Sequence, residues 1–426
     1  MNEYRPRIAD SVLERRLAGT GAVLVRGPKW CGKTTTCVRH AKSILYMADP
    51  DTHDQNLRMA KLNISALLKG ENPRLIDEWQ EAPKFWDAVR AKVDGANDVG
   101  QYILTGSAVP PDTDEIVHSG TGRIASMKMR PMSLWESGES SGGVSIGALL
   151  EGAAFETAES RHHSLDEMAY IVCRGGWPQA VNQSGDIALD RAFDYYEAVV
   201  NADISRVDRV PRDPERVMRL MRSYSRLQGT QSNLSVIRKD MSEHESRGLG
   251  EDTIDSYLKA LRKIFVVDDV KAWSPSLRAK SVVRTSDTRY FIDPSIAVAA
   301  LGLGPGDLMG DLRSFGYFFE TLAVRDIQAY AEAHFGGVHH YLDRNGLECD
   351  IIIHARNGRY GLIEVKLGGD DLIEEGAETL NKLTNILNPE KMRLPSFKMI
   401  LTAVGDYAYR REDDGVIVCP IGALKP

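Results

Sequence analysis

Cysteine is scarce and unpatterned in this 426-residue chain. Cys31, Cys37, Cys173, Cys349 and Cys419 are odd in number, scattered, and without Cys-x-x-Cys spacing, which argues against a disulfide framework or a zinc site. A reducing compartment is expected. No apolar run approaches the roughly 20 residues of a membrane span, and Met1-Asn-Glu-Tyr-Arg-Pro6 lacks the pattern of a secretory leader. The expected location is the cytoplasm, with no membrane partner. Positive charge is lacking too: the formal net charge is -7, so a polyanion has to be met by a local basic patch. With 42% hydrophobic and 27% charged residues the rest is ordinary for a globular protein, and the length fits about two to four domains.

Against this background GPKWCGKT stands out. Gly27, Pro28, Lys29, Trp30, Cys31, Gly32, Lys33 and Thr34 have the spacing Gly-x-x-x-x-Gly-Lys-Ser/Thr, directly after the apolar run Ala22-Val-Leu-Val-Arg26 and ahead of a helix opening with Thr35 and Thr36. The glycines let backbone N–H groups point inward at phosphate oxygens, and the helix N-terminus adds its dipole. Lys33 is expected to reach the β and γ phosphates of ATP and Thr34 to offer its hydroxyl to Mg2+, with Trp30 and Cys31 as loop filler.

An acidic pole follows in Arg74-Leu-Ile-Asp-Glu78, a strand end that assigns Asp77 to the Mg2+ shell and Glu78 to the attacking water. A third strand, Gln101-Tyr-Ile-Leu-Thr-Gly-Ser107, ends in hydroxyls, and Thr105 and Ser107 are expected to sense the γ-phosphate at the carboxyl ends of the strands.

GPKWCGKT, LIDEWQ, YILTGS, Gly122-Arg123 and Met129-Arg-Pro-Met-Ser-Leu134, in this order, resemble the N-terminal module of bacterial and archaeal AAA-type ATPases that carry an uncharacterised C-terminal domain. The resemblance implies that Pro178 in Gly175-Gly-Trp-Pro178 contacts adenine, although Gly-Gly and Pro also punctuate ordinary turns. It further implies that Arg123 stabilises γ-phosphate charge, in its own subunit or a neighbour's.

Ser137-Gly-Glu-Ser-Ser-Gly-Gly143 reads as a flexible insertion, and Leu165 to Ile204 as a small helical lid. Residues 206–289 hold 18 Lys and Arg against 12 Asp and Glu. Within them Ser232 to Asp240 and Glu251 to Lys263 read as two helices joined by a turn, and with Ile264-Phe-Val-Val267 and the turn-rich Trp273 to Lys280 they predict a winged helix-turn-helix. Lys259, Arg262 and Lys263 then either approach DNA phosphates or lie on a solvated face of an interdomain packing module.

The last third holds a second constellation. Asp350 begins a β-branched run, and Glu364 and Lys366 share a face of the strand Tyr360 to Lys366 because side chains two apart point the same way. Asp350 and Glu364 offer hard oxygens to Mg2+ or Mn2+, Lys366 suits a water or a scissile phosphate, and Glu320 adds an acid from the helix Phe318 to Arg325. Glu348 supports the metal or faces solvent. The order helix, three strands, helix (Leu372 to Leu387), strand (Phe397 to Thr402) is similar to the PD-(D/E)xK restriction-endonuclease-like core, which the C-terminal domain of this family resembles.

The expected fold is α/β: a P-loop NTPase core of the AAA type over 1–135, the flexible insertion and helical lid over 136–205, a winged helix-turn-helix over 206–290, and a nuclease-like α/β domain over 291–426. The expected function is an ATP-binding and ATP-hydrolysing switch coupled to a nucleic-acid-related module, a metal-dependent nuclease under ATP control. The alternative is a regulatory or scaffolding ATPase whose nuclease-like domain only binds DNA or a protein. Besides ATP and DNA, a protein partner or a second copy of the chain fits.

Overall fold

The computed structural model describes the chain except for residues 1–3, 97, 109–119, 209, 246–247, 275–285 and 388–392. The turn-rich stretch expected to complete a wing thus lies largely outside the described residues. No helix among them is long and apolar enough to cross a membrane.

A five-stranded parallel sheet forms from β1 (Ala22–Arg26), β2 (Ser43–Tyr46), β3 (Arg74–Asp77), β4 (Tyr102–Gly106) and β5 (Ile124–Lys128), in the order β2-β3-β4-β1-β5. β1 and β4 are buried throughout but for Arg26, which is why they read as apolar runs rather than alternating ones. The parallel register brings the residues after β1, β3 and β4 to one edge.

A helical region follows. Its first long helix, Leu165–Arg174, opens with a Ser164/Glu167 capping box that satisfies orphan N–H groups in both directions. Further helices run over Gly185–Ala198, Pro214–Arg226, Leu234–His244 and Glu251–Lys263. The last three precede two antiparallel bridges, Val267 with Phe291 and Val270 with Thr288. The helix Pro294–Leu301 starts on Asp293, whose carboxylate accepts from the Ser295 N–H, and stops at the left-handed Gly302.

The long helix Leu312–Ala333 lies against both halves. Phe315, Phe318, Phe319 and Leu322 recur at spacings of three and four and are buried. Beyond it β6 (Gly337–Leu342), β7 (Glu348–His354) and β8 (Tyr360–Lys366) pair antiparallel, the helix Asp370–Ile386 crosses over, and β9 (Phe397–Thr402) pairs parallel to β8. With β10 (Tyr407–Arg410), β11 (Ile417–Pro420) and two-residue strands at either edge, this sheet has eight strands among the described residues.

The Gly/Ser-rich stretch departs from the flexibility its composition suggests. Ser140 Oγ donates to the Leu424 carbonyl (2.5 Å), the Ser141 N–H to Gly422 (2.8 Å) and Ser145 Oγ to Pro426 (2.7 Å), and Val144 pairs with Leu424. Small polar residues here let two distant backbones approach and bond.

Asp268 ties the edge of the first sheet to the rest. Its oxygens meet Lys128 Nζ at 2.5 Å and Arg130 Nη2 at 3.1 Å, and Arg130 Nε also donates to Gln328 of the long helix (2.6 Å). Burial alone would raise this carboxyl, but the two cations outweigh it and hold it down at about 2. A depressed acid contributes stability above its unfolded value, near 3.8, that is lost as pH falls toward 2. Asp268→Asn should therefore cost at least about 2 kcal/mol at pH 7, and urea unfolding should show the gap to wild type shrinking between about pH 4 and pH 2. A gap independent of pH would refute the pairing.

Candidate functional site

The loop after β1 closes against the segment after β5. A side chain at Gly27 would meet the Met129 carbonyl at 2.1 Å, so only glycine permits the approach, and Gly32 takes φ +96° ahead of the helix Lys33–His40. Lys33 is buried with Nζ folded onto the Pro28 carbonyl (2.7 Å).

Thr34 Oγ1 donates to Asp77 Oδ1 at 2.9 Å and Thr105 Oγ1 to the same oxygen at 2.5 Å. Burial pushes the Asp77 carboxyl up, while the two hydroxyls favour its charged form. Glu78 sits at φ +55°, a left-handed conformation uncommon outside glycine, and its Oε2 accepts from Ser107 Oγ (3.0 Å) and from Gln80. Thr105 and Ser107 thus grip the two acids. A hydroxyl and a carboxylate in direct contact are a donor set that suits Mg2+, which takes few protein ligands.

Pro178 closes a cavity of about 240 Å3 beside the loop, lined by Tyr4, Arg7, Thr35, Thr36, Met132 and Asn182 among others. A Cβ at Gly32 would lie 3.5 Å from Pro178 Cγ. The Gly176 carbonyl accepts from the Met132 N–H (2.6 Å) and its N–H donates to Asp293 (3.0 Å), which fixes both walls.

Arg123 is elsewhere. It precedes β5 at the end where Ile124 pairs with Ala22, four residues from the phosphate end of β1, and it is half exposed in an ion pair with Asp94 (2.5 Å). A strand rise of about 3.3 Å per residue leaves it far from the loop of its own chain. Arg206 instead lines a cleft of about 400 Å3 together with Lys29, Glu78, Ser107, Tyr195 and Asp203. Across this cleft Lys29 pairs with Asp203 (2.6 Å) and Trp30 packs edge-on against Tyr195 (5.5 Å), so Trp30 is more than filler. Arg7 is the other residue sequence reasoning missed. Buried, it donates to the carbonyls of Cys31 (2.8 Å) and Arg130 (2.9 Å) and to Glu136 (2.9 Å). Neither arginine belongs to a local motif, and only the folded chain brings them in.

The acids of the last third gather on β7, β8 and the long helix. Asp350 and Glu364 face each other, and Asp350 Oδ2 also accepts the Val365 N–H (2.8 Å). Glu364 is 4% exposed with Oε1 lacking any hydrogen-bond partner, and Lys366 Nζ lies 3.7 Å from its Oε2. Glu320 accepts from the Tyr290 hydroxyl, and Glu348, far from merely facing solvent, accepts from Gln231 (2.9 Å). Burial and then the Asp350 charge push Glu320 and Glu364 well above the usual carboxylate range; burial raises Asp350 as well. Among the described residues no group of three or more His, Cys, Asp or Glu is arranged to hold a metal ion. Two carboxylates in contact, one with a buried orphan oxygen, nevertheless form a donor pair fit for a hard cation.

Among the described residues, several cations of residues 206–289 are paired within the segment. Lys259 pairs with Asp255, Arg262 and Arg289 with Asp269, and Arg226 with Asp240 and Glu245.

Residues 20–137 match the family model described as "AAA domain", residues 165–307 one described as "Domain of unknown function (DUF8612)", and residues 315–424 one described as "Domain of unknown function (DUF4143)". No curated protein matches the chain. Among solved structures, the Walker-type ATPase PABY2304 of Pyrococcus abyssi is 15% identical, with 70% of this chain and 96% of that chain covered at a TM-score of 0.43. A RuvB variant from Thermotoga maritima is 16% identical, with 61% and 85% covered at a TM-score of 0.26. The chain thus carries an AAA-type P-loop domain over residues 20–137, the stretch that holds the loop, Asp77 and Glu78.

Proposed function

We propose that this protein is a Mg2+-dependent ATPase whose nucleotide state is passed to the acid cluster of its last third. The observation that carries the first part is Asp77 Oδ1, which accepts from both Thr34 and Thr105 with Glu78 next to it. ATP phosphates would take up the loop N–H groups, and Lys33 would leave the Pro28 carbonyl for them. Thr34 and Asp77 would hold Mg2+, which when bound neutralises charge on the phosphate oxygens. Glu78, steadied by Ser107 and Gln80, orients a water and draws its proton. Arg206 and Lys29 supply positive charge across the cleft where negative charge builds. The adenine lies between Pro178 and the Tyr4–Arg7 segment, and residues 136–205 serve as a lid.

The second part rests on the orphan Glu364 oxygen. Asp350 and Glu364 would hold Mg2+ or Mn2+ with Lys366 beside them, in a domain whose order of helix, three antiparallel strands, helix and parallel strand supports a restriction-endonuclease-like reading. DNA or a protein partner would be engaged there. The helices of residues 206–290 and their bridged segments support a winged helix, and the internal pairing of Lys259 and Arg262 favours it as a packing module over a DNA reader.

Phosphate release and nucleotide binding test the ATPase. Lys33→Ala should abolish binding, while Glu78→Gln should keep binding and lose turnover by about 100-fold or more; turnover equal to wild type sinks the role of Glu78. Arg206→Ala should lower kcat at least about tenfold with KM little changed, because its charge matters most in the transition state. An unchanged kcat removes Arg206 from the site.

A further inference from the structure

We propose that Arg15, Phe335 and Arg356 form a binding surface for single-stranded nucleic acid, in which an unpaired base stacks on the Arg15 guanidinium and Arg356 takes an adjoining phosphate. The surface shares no residue with either polar centre described above.

Three arginines meet around one ring. The Arg15 guanidinium carbon lies 3.6 Å from the centre of Phe335, a stacking distance, and those of Arg356 and Arg16 lie at 5.0 and 5.1 Å. They come from distant parts of the chain: Arg15 and Arg16 from the helix Ile8–Leu17, Phe335 from the turn that closes the long helix, and Arg356 from the turn between β7 and β8. Phe335 stands at φ +52°, a left-handed conformation that a bulky side chain rarely takes. Its own N–H on the Glu332 carbonyl (3.1 Å) and the Gly336 N–H on that of Ala331 (2.8 Å) hold it there.

The acids beside this cluster already have partners. Glu332 pairs with Arg16 and Glu151 with Arg359, each at 3.0 Å. Arg15 spends one donor on the Ala333 carbonyl at the end of the long helix and, among the described residues, pairs with no carboxylate. Arg356 is exposed and, among the described residues, makes neither a hydrogen bond nor an ion pair. Burial, and then the charges of Arg16 and Arg356, lower the Arg15 guanidinium. The quadrupole of one ring attracts each cation without cancelling the repulsion among them, so an anion placed between them is favoured.

Closing the helix end takes only one donor of Arg15, and that role leaves Arg356 unexplained. Two guanidiniums without acids, around one ring, match a phosphate carrier that also has a flat apolar group. The planar fork of Arg356 fits phosphate oxygens, and the exposed Arg15, stacked on Phe335, offers a plane of the kind on which splayed bases stack. A base inside a duplex cannot reach such a plane, which selects a single strand. In a chain of net charge -7 a polyanion has to be met by a local patch of this sort.

The test is fluorescence anisotropy of a labelled oligothymidylate of about 15 nucleotides with the full chain, in EDTA and without ATP so that neither polar centre is loaded. Circular dichroism melts confirm that each variant is folded. Wild type should bind at low salt, and more tightly than it binds a duplex of the same length. Arg356→Ala should weaken binding at least about fivefold and flatten the slope of log affinity against log salt by about 0.7, the share of one phosphate contact on a single strand. Arg15→Lys keeps the charge and loses the plane, so it should weaken binding at least about fivefold with the slope unchanged. Arg216→Ala, which removes an exposed arginine of another helix, should bind as wild type. No binding by wild type at low salt overturns the surface, and so does binding that Arg356→Ala and Arg15→Lys leave intact. Arg15→Lys equal to wild type, or duplex bound as tightly as the single strand, overturns the stacked base.

Discussion

Arg325 holds the molecule together. It is 2% exposed, its Nη1 donates to Asp293 at 2.8 Å, and its Nε and Nη2 reach Asp326 at 2.9 and 2.8 Å. The opposite oxygens of the two acids go to backbone N–H groups or share the load: Asp326 Oδ2 accepts from Leu134 (2.9 Å), and Asp293 Oδ2 from Gly176 as well as Arg325. Burial lowers a guanidinium, but two carboxylates at this range outweigh it and raise Arg325. Such a triad is not a cheap source of stability, because desolvating three charges consumes most of their attraction. What it provides is position. One turn of the long helix fixes Met132 to Leu134 on one side and Gly175 to Pro178 on the other, and these are two walls of the cavity beside the phosphate loop.

Arg7 does the corresponding work from the N-terminal side. Arg7 directly precedes the helix Ile8–Leu17, and its three donors reach a loop carbonyl, the Arg130 carbonyl and Glu136, so the loop and the segment after β5 share one cation with the start of that helix. Glu136 in turn caps Ser133, one residue before the Leu134 N–H that Asp326 receives. The path from the loop to the long helix is therefore a run of hydrogen bonds with side chains under 10% exposed at Arg7, Glu136, Asp326 and Arg325. In a low-dielectric interior such bonds are strong when made and costly when broken, which favours discrete arrangements over gradual ones.

The parallel sheet and its phosphate loop were legible because their signals are local. GPKWCGKT after an apolar run, and an acid pair after another, depend on neighbours within a few residues, and the structure puts Thr34, Asp77, Glu78, Thr105 and Ser107 at one edge. What was not legible depends on partners far along the chain. Arg123 follows a glycine much as a phosphate-reading arginine would, yet the register of β5 carries it to the far end of the sheet. Ser137 to Gly143 has the composition of a linker, and only the carbonyls of residues 422–426 reveal why small hydroxyl residues stand there. The charges before residue 290 could be counted, but which cations pair with Asp240, Asp255 and Asp269 could not.

The same distinction bears on how the two polar centres relate. In sequence Pro178 and Glu320 lie 142 positions apart and share no motif. In the structure, Asp293 binds the Gly176 N–H two residues from Pro178, and Glu320 lies five residues before Arg325 on one rigid helix, about 7.5 Å along its axis. Asp293 is also covalently three residues from Tyr290, which touches Glu320. Two routes, the helix and the segment from Tyr290 to Asp293, thus join the same pair of places. Asp293 also accepts from Arg325 of the same helix, so the two routes are fastened to each other at the cavity end and hold the two places as one unit.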